Sequence, residues 1–322
     1  MKKNVIITGS DKKYGDFLIE HWFKSLKETN DLTELDVAVL DYGLSIAQRF
    51  YLESHGVILI PCQKDGHVVN IRFRDMAHYL EEHPGYDQVI VSDGGDIIFQ
   101  DSLEPLIEEQ PQEFRAVVED LKSGFSIFLT DEFFSRQDKD AIKKTLTGKE
   151  MINAGFFIGP AHKMEELGKT LYAMIKEKTK FGPDQIVVNY LLYKNGFVPV
   201  DRTYNYVVAT AQAKLEIRDG RFYANGELIR VVHNTGNWKF LRPIENFGYH
   251  SDKVSLKKDL MRILKGLHTT SDSMYDVQDH LKLRLLDLRK DMKDMYRNSQ
   301  GKVDELFNNF VDEILNIKDK EE

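Results

Sequence analysis

The feature that most constrains this chain is a regular alternation of apolar strand patterns and amphipathic helical patterns between Asn4 and Phe99. Strands separated by helices favour a largely parallel sheet with helices on both faces, because parallel neighbours need a crossover between them. Ligands of such sheets bind beyond the carboxyl ends of the strands. Strands and helices alternate over Val5–Thr8, Phe17–Leu26, Leu35–Leu40, Leu44–His55, Val57–Ile60, Asp75–Glu82 and Val89–Ser92.

The second half of the chain has a mixed pattern. Short strand patterns at Ala116–Glu119 and Phe156–Gly159 are followed by hairpin signals at Asp219-Gly220 and Asn225-Gly226. We therefore predict an α/β fold for residues 1–250, with a Rossmann-like, mostly parallel sheet and an antiparallel insertion. The first strand is followed neither by the Gly-x-Gly-x-x-Gly dinucleotide motif nor by a Walker lysine loop.

Residues 251–322 have the pattern of a helical C-terminal extension. Apolar residues recur at alternating spacings of four and three in two stretches, Leu281–Met295 and Val303–Ile317, separated by a break near Gly301. Each stretch is too short to identify a free-standing coiled coil. Packing on the first domain or on each other, self-association, and peripheral contact with a membrane are the three interpretations of these helices.

Charge and cysteine content exclude several classes of protein. The net charge of −8 argues against general nucleic-acid binding, which needs an excess of clustered lysine and arginine. A single cysteine, Cys62, excludes an internal disulfide framework and fits a reducing compartment. The N-terminal apolar run is too short for a signal peptide, and no run approaches the length of a membrane span. We expect a cytoplasmic protein, with the tail allowing contact with the inner face of a membrane.

The most informative site candidate is an acidic turn, Asp93-Gly-Gly-Asp96, between the apolar runs Val89–Ser92 and Ile97–Phe99. Two carboxylates held close together repel each other, so a fold that buries them usually supplies a cation. Mg²⁺ or Mn²⁺ with a bound phosphate fits this pattern, because such ions take one or two carboxylates and phosphate oxygens. The glycines allow a sharp turn and the close approach of a ligand. An ordinary turn between two strands is the alternative interpretation.

Other polar residues lie at the same kind of position. The first strand ends in a loop with hydroxyl, carboxylate and aromatic groups, in which Tyr14 could stack on a base. An Asn-Ala-Gly sequence opens a later apolar strand, and an Asp-Gln pair opens a helix, where the aspartate could also be an ordinary N-cap. The last stretch, His233-x-x-Gly-x-x-Lys239, combines an imidazole, a glycine turn and a cation that could meet a metal and a phosphate.

In this order, the stretches resemble the GT-A glycosyltransferases that use nucleotide sugars, and the last one is similar to the retaining glycosyltransferases of family eight. The resemblance covers about residues 4–240. It implies that Mn²⁺ or Mg²⁺ bridges the diphosphate of the donor. It also implies metal ligands Asp93, Asp96 and His233, nucleotide-sugar contacts Thr8, Gly9, Asp11, Tyr14, Arg74, Asp93, Gly236 and Lys239, and catalytic residues Asn153, Asp184 and Gln185 around the transferred sugar.

Three details depart from the family pattern or are left open. The acidic motif is Asp-x-x-Asp rather than Asp-x-Asp, so either both carboxylates reach the ion or one of them holds the ribose. Phe240 follows Lys239 where the family commonly has Pro-Trp. Arg72 is an alternative to Arg74 as a diphosphate contact, and either arginine could instead lie on a solvated helix face.

The leading hypothesis is a metal-dependent glycosyltransferase that moves a sugar, with retention, from a nucleotide-sugar donor to an acceptor hydroxyl. UDP-sugar is the expected donor, and a glycan, a glycolipid and a protein are the alternatives for the acceptor. A non-catalytic scaffold that binds nucleotide sugars is one alternative. A sugar nucleotidyltransferase is another, although it normally has a glycine-rich, basic first loop.

Overall fold

A computed structural model of the chain describes residues 2–122, 128–211, 213–236, 242–257 and Leu260. The strands are β1 (Asn4–Ser10), β2 (Leu35–Asp41), β3 (Ile58–Pro61), β4 (Gln88–Ser92), β5 (Ile97–Phe99), β6 (Arg115–Lys122), β7 (Glu150–Pro160), β8 (Val198–Pro199), β9 (Tyr206–Val207), β10 (Leu215–Arg218), β11 (Arg221–Ala224), β12 (Glu227–Leu228), β13 (Val231–His233), β14 (Ile244–Glu245) and β15 (Ser255–Leu256). The helices are α1 (Lys12–Phe17), α2 (Lys24–Thr29), α3 (Ile46–Ser54), α4 (Val68–Glu82), α5 (Glu104–Glu108), α6 (Arg136–Leu146), α7 (Ala161–Met174) and α8 (Pro183–Asn195).

The central sheet has seven strands in the order β3-β2-β1-β4-β7-β6-β8. The first four run parallel, as the strand-helix alternation predicts, whereas β7 is antiparallel to both β4 and β6. Buried apolar side chains cover both faces of the sheet, and β4 is buried along its whole length. The predicted α/β fold class, with a mostly parallel sheet and antiparallel strands, is confirmed.

Two helical segments differ in extent from the sequence prediction. A π-helical stretch, Leu18–Phe23, joins α1 to α2. The three segments follow one another without a break over residues 12–29, whereas the sequence predicted a shorter helix, Phe17–Leu26. Helix α4 begins at Val68 rather than near Asp75. Its first turn is secured by tertiary contacts that a local pattern does not reveal, since the Asn70 amide donates hydrogen bonds to backbone carbonyls of Lys178 and Lys180.

A small sheet of three strands, β5-β13-β9, continues the fold beside the acidic turn. The hairpin prediction is confirmed by the antiparallel strands β10, β11 and β12. Strand β14, which precedes residue 250, pairs with β15, which follows it. All the described residues belong to one compact unit, Met1–Met261. The boundary at residue 250 stays a prediction, and the two helices expected within 281–317 lie outside the described residues.

Among the residues that the structure describes, no helix combines the length and the apolar character needed to cross a bilayer.

Candidate active site

The acidic turn lies where the parallel and antiparallel parts of the central sheet meet. Asp93 follows the buried strand β4, and its backbone N–H donates to the Gly155 carbonyl of β7 at 2.7 Å. Asp96 precedes β5, which leaves the central sheet and pairs with β13. The two carboxylates are thus attached to two different sheets, and the turn between them fixes how far apart they lie.

Strand pairing brings His233 to the same place. In the antiparallel register of β5 and β13, His233 lies opposite Ile97, the residue after Asp96. The imidazole is 1% exposed, and its Nε2 atom lies 3.6 Å from Asp93 Oδ2 and 3.4 Å from Asp96 Oδ1. One ligand atom from each of the three residues falls within 4.8 Å of the others. A one-residue slip of β13 would turn the imidazole to the opposite face of the sheet.

Asn205 fixes the orientation of the imidazole. Its side-chain nitrogen donates to the Phe156 carbonyl at 3.3 Å, which leaves Asn205 Oδ1 as the acceptor 3.0 Å from His233 Nδ1. Nδ1 then carries a proton, so Nε2 is the nitrogen available to a cation between the carboxylates, the arrangement found at metal-bound histidines. Without a cation, burial opposes charge on the ring, but hydrogen bonds to Asp93 and Asp96 raise the pKa of His233 to about 9.

Two arginines hold the outer oxygens of the two carboxylates. Arg72, on α4, contacts Asp93 Oδ1, and Arg242 lies 3.1 Å from Asp96 Oδ2. The remaining oxygen of each carboxylate is the one that faces His233 Nε2. Both aspartates therefore present one oxygen to a common point, despite the extra residue in the Asp-x-x-Asp spacing.

Glycines allow this crowding. A Cβ atom on Gly155 would lie 2.5 Å from His233 Cε1 and 2.6 Å from Asp93 Oδ2. A Cβ on Gly94 would lie 2.6 Å from Thr8 Oγ1, and one on Gly95 would lie 2.8 Å from the Tyr14 ring. The two glycines of the acidic turn thus make room for β1 and α1. The expectation that these glycines also allow the close approach of a ligand stays a prediction.

The three predicted sugar-site residues lie near the segment 152–155 of β7, Asn153 within the strand and Asp184 and Gln185 at the start of α8. The Asp184 carboxylate is 5% exposed and lies 3.7 Å from Arg72, and burial together with nearby Asp93 raises its pKa to about 7 against the effect of Arg72. Asn153 Oδ1 accepts a hydrogen bond from the Gly155 N–H at 2.9 Å. Gln185 accepts from the Ala154 N–H at 2.9 Å and donates to the Ile152 carbonyl, so its amide secures the strand.

The first loop lies next to the acidic turn, as predicted. Thr8 is 1% exposed, and its hydroxyl has no hydrogen-bond partner among the described residues. The Tyr14 ring packs against Gly95. Asp11 caps α1 by accepting from the Lys13 and Tyr14 N–H groups, and it forms an ion pair with Lys64 at 2.7 Å. Part of its hydrogen-bonding capacity is therefore used within the protein.

The remaining predicted contacts have different outcomes. Arg74 forms ion pairs with Asp65 and Asp75, both at 2.7 Å, and the structure brings Arg72 rather than Arg74 to the acidic turn. The reason is that α4 includes both arginines, so residues two positions apart point in different directions. Gly9 packs closely on Tyr42, because a Cβ atom on Gly9 would lie 3.1 Å from Tyr42 Cε2. Gly236 has φ +149°, and Lys239 lies outside the described residues.

Sequence reasoning missed three residues of this site: Asn205, Arg242 and Glu119. Glu119, on β6, is 4% exposed, accepts from the Thr210 hydroxyl, and has its pKa raised to about 7 by burial. A carboxylate at the end of the apolar run Ala116–Glu119 was the only signal for it. Asn205 and Arg242 lie in stretches without a recognised motif.

The donor set fits a divalent cation. Two carboxylate oxygens and one imidazole nitrogen converge. Each of the three side chains is oriented by a neighbouring residue, His233 by Asn205, Asp93 by Arg72 and Asp96 by Arg242. Carboxylates suit both Mg²⁺ and Mn²⁺, and the imidazole favours Mn²⁺, because nitrogen ligands bind transition metals better than Mg²⁺.

Comparison with known proteins gives a family match and several structural matches. Residues 70–241 match the model of glycosyl transferase family 8. Crystal structures of the galactosyltransferase LgtC, in complex with donor and acceptor sugar analogues and as an active-site mutant, are each 17% identical and cover 82% of this chain. The first covers 96% of LgtC with a TM-score of 0.49, and the second covers 95% with a TM-score of 0.51.

Apo GlyE from Streptococcus pneumoniae TIGR4 is 16% identical, with a TM-score of 0.48 over 84% of this chain and 64% of GlyE. A comparison with curated proteins finds no match. At this level of identity, the mutant LgtC structure supports the fold alone. The family model covers more than half of the sequence. The chain therefore belongs to glycosyl transferase family 8 and is a GT-A glycosyltransferase that uses a nucleotide-sugar donor.

Proposed function

We propose that this enzyme transfers a sugar from a UDP-sugar to an acceptor hydroxyl, with retention of anomeric configuration and with Mn²⁺ as the bound cation. The observation that carries the proposal is the arrangement of Asp93, Asp96 and His233, in which each residue offers one ligand atom to a common point. An ordinary turn between strands would not need an imidazole held by Asn205 or two carboxylates held by arginines.

Mn²⁺ would be held by Asp93 Oδ2, Asp96 Oδ1 and His233 Nε2, with Mg²⁺ as a weaker substitute. Bound there, the cation would stabilise negative charge on the nucleoside diphosphate as it leaves. The chain itself contributes positive charge at the same edge through Arg72, which contacts Asp93, and through Lys239, which we assign to the diphosphate from the sequence motif. The backbone at Gly236 permits close approach of a phosphate.

The nucleoside would bind along the first loop. The Tyr14 ring packs on Gly95 and would stack on uracil, which would place the base site next to the acidic turn. Asp11 is held in place by Lys64 and by the start of α1, so it presents a fixed oxygen to the base or the ribose. The Thr8 hydroxyl, which has no hydrogen-bond partner in the described part of the chain, and the Gly9 backbone would complete this side of the site.

The transferred sugar would lie between Asp184 and Asn153. Since the pKa of Asp184 is about 7, its carboxyl group exchanges a proton near neutral pH, and it can donate to or accept from a sugar hydroxyl. Gln185 would support this part of the site by hydrogen bonding to the backbone of Ile152 and Ala154 in β7. Retention rests on the similarity of the His233-x-x-Gly-x-x-Lys239 motif to that of the retaining family.

The proposed acceptor and location rest on the sequence alone. A glycan, a glycolipid or a protein hydroxyl is the proposed acceptor, and no nucleic acid is expected at a chain of net charge −8. We propose a cytoplasmic enzyme whose domain ends near residue 250. Residues 251–322 are proposed as a helical extension for self-association or for peripheral contact with a membrane.

A thermal-shift experiment tests metal and nucleotide binding together. Mn²⁺ with UDP is expected to raise the Tm of the wild-type chain, and Asp96→Ala is expected to abolish the shift. Asp31→Ala, which removes an exposed carboxylate, is the matched control and should leave the shift intact. The absence of a shift with any nucleoside diphosphate would contradict the proposal.

A donor-hydrolysis screen with UDP- and GDP-sugars then identifies the base and the sugar. NMR of the released sugar during the first turnovers reports its anomeric configuration. An inverted product would contradict retention and would point to a buried carboxyl group of pKa near 7, Asp184 or Glu119, as a general base.

A further inference from the structure

Phe181 is an exposed aromatic residue next to the proposed sugar site. Four large apolar side chains are exposed in the described part of the chain, three of them on α3 and the fourth that of Phe181, at 40%. Phe181 lies in the segment between α7 and α8, three residues before Asp184. Single exposed apolar side chains are common on protein surfaces, so its position and its surroundings carry the argument.

Hydrogen bonds fasten this segment to the first turn of α4. The His67 N–H donates to the Lys178 carbonyl at 2.8 Å. The Asn70 amide donates to the carbonyls of Lys178 at 3.0 Å and Lys180 at 2.7 Å. Helix α4 also carries Arg72, whose guanidinium contacts the acidic turn. The exposed ring is thus attached to the helix that supports the candidate metal site.

Two neighbouring rings hold Phe181 by edge-to-face contacts. The His67 ring lies 5.5 Å away with 69° between the ring planes, and the Phe128 ring lies 6.3 Å away with 76° between the planes. Directly after Phe181 the chain turns at Gly182, which has φ +114°, and a Cβ atom there would lie 2.4 Å from the Phe128 ring. The aromatic ring is therefore positioned before a ligand binds, which lowers the entropic cost of binding.

The environment of His67 relates the Phe181 ring to the rest of the site. Burial lowers the pKa of His67, and the positive charges of Arg72, Lys64 and Lys13 lower it further. These charges come from both sides of the site, since Arg72 contacts the acidic turn and Lys13 lies in the first turn of α1. Phe181 therefore packs on a neutral imidazole that is close to the acidic turn and to the first loop.

The surroundings of the ring suit a sugar better than a lipid chain. The two residues before Phe181 are polar, Thr179 and Lys180, and Lys180 pairs with Glu132 at 2.6 Å. A pyranose has a face of C–H groups and a rim of hydroxyl groups, so it can pack on the electron-rich face of an aromatic ring while its hydroxyls contact polar neighbours. A lipid chain would need a continuous apolar surface instead.

We propose that Phe181 is the stacking platform for a pyranose ring of the acceptor. The acceptor is then a saccharide, either a free glycan or the headgroup of a glycolipid. The transferred sugar is assigned to the space between Asp184 and Asn153, and because Asp184 is buried whereas Phe181 is exposed, Phe181 is open to an incoming acceptor. This inference rests on the proposed function, because it assumes that a sugar is transferred beside Asp184.

The test measures transfer to saccharide acceptors. The donor is the UDP-sugar that the wild-type chain hydrolyses fastest with Mn²⁺, and the acceptors are the methyl and octyl β-glycosides of glucose, galactose and lactose. The wild-type chain is expected to glycosylate at least one of these sugars. Phe181→Ala should raise the KM for that acceptor roughly tenfold, as expected for the loss of one aromatic stacking contact.

Two further variants separate stacking from apolar contact. Phe181→Leu keeps apolar surface but has no ring face, so it should raise the acceptor KM as Phe181→Ala does. Phe181→Tyr keeps the ring and should stay within about twofold of the wild-type KM. Phe50→Ala is the matched control, because Phe50 is an aromatic residue of α3 that is 73% exposed, and it should leave the acceptor KM unchanged.

The paired glycosides distinguish the two sources of the sugar. A free-glycan acceptor predicts equal KM values for the methyl and octyl glycosides, whereas a glycolipid headgroup predicts a lower KM for the octyl glycoside. In both cases Phe181→Ala should raise the two KM values by the same factor. A loss confined to the octyl glycoside would mean that Phe181 binds the lipid chain, which would overturn the inference.

The Kd of UDP with Mn²⁺, measured by calorimetry, reports whether each variant has a folded donor site. If Phe181→Ala fails this check, Phe181→Leu and Phe181→Tyr decide. An unchanged acceptor KM in Phe181→Leu overturns the inference. Hydrolysis of a donor without transfer to any of the saccharides also overturns it and leaves the proposed function intact. Failure of the wild-type chain to bind or hydrolyse any donor overturns the proposed function instead.

Discussion

Replacing Gly155 by alanine should abolish cation binding at the proposed site while costing the fold only moderate stability. The new Cβ atom would lie 2.5 Å from His233 Cε1, 2.6 Å from Asp93 Oδ2 and 2.9 Å from Asn153 Oδ1. The His233 and Asp93 side chains cannot move freely, because Asn205 and Arg72 hold them. The backbone itself accepts alanine, since Gly155 has no positive φ. The collision therefore acts on the side chains of the site.

The matched control is Gly159→Ala on the same strand. Its Cβ would lie 2.4 Å from the Phe114 ring, and Gly159 pairs with Val89 at the opposite end of β4 from the acidic turn. Overpacking of this kind costs about 1–3 kcal/mol of stability. Both variants should therefore lose roughly 2–12 °C in Tm, given about 2–4 °C per kcal/mol for a domain near this size.

Ligand binding should then distinguish the two variants. With Mn²⁺ and UDP at 100 times their Kd, a binding-competent chain gains about 2.7 kcal/mol. If Gly155→Ala weakens binding about 100-fold, the gain falls to about 0.4 kcal/mol. Differential scanning fluorimetry should thus show a full ligand shift for Gly159→Ala and almost none for Gly155→Ala. A full shift in Gly155→Ala would refute the assignment of this crowded point as the cation site.

Three further changes test other parts of the site. Asn205→Ala should weaken Mn²⁺ binding roughly 10- to 100-fold, because the His233 tautomer is no longer fixed; unchanged affinity by calorimetry would contradict this. Tyr14→Ala should weaken UDP binding roughly tenfold or more through lost stacking, whereas Tyr14→Phe should bind normally; equal losses in both variants would argue against stacking. Burial raises the pKa of Glu119 from its usual 4.5 to about 7, so ionisation destabilises the fold as the pH rises through that interval. Glu119→Gln should therefore gain about 2–3 kcal/mol at pH 8 and little at pH 5 in urea unfolding, and equal effects at both pH values would contradict this.

The order of strands and helices was predictable because each parallel strand carries a local signal. Apolar runs bounded by polar loops identify β1 to β4, and hairpin residues such as Asn225, with φ +50°, identify the β10–β11–β12 region. The start of α4 was not predictable, since bonds from Asn70 to residues more than 100 positions away secure it. Periodicity reports nothing about such contacts.

The candidate site also contains residues that the sequence could predict and residues that it could not. Asp93, Asp96 and His233 were predicted as metal ligands because such a site needs particular residue types at strand ends, and the structure brings all three together. Arg72 and Arg74 could not be separated from sequence, because the choice depends on which face of α4 is buried. Asn205 acts only through the ring that it orients, and nothing in its local sequence signals that role.

The groups around the acidic turn come from distant parts of the chain. Arg242 contacts Gly95 across 147 residues, and Arg72 contacts Ala154 across 82 residues. Closing such large loops carries an entropic cost, so we expect these contacts to form late, after both halves of the sheet have assembled. A chain still being synthesised, without β13, would carry the two aspartates but no imidazole between them. Under the proposed function such a chain would lack one ligand of the cation, so we expect binding of UDP with Mn²⁺ to report how much of a preparation has completed folding.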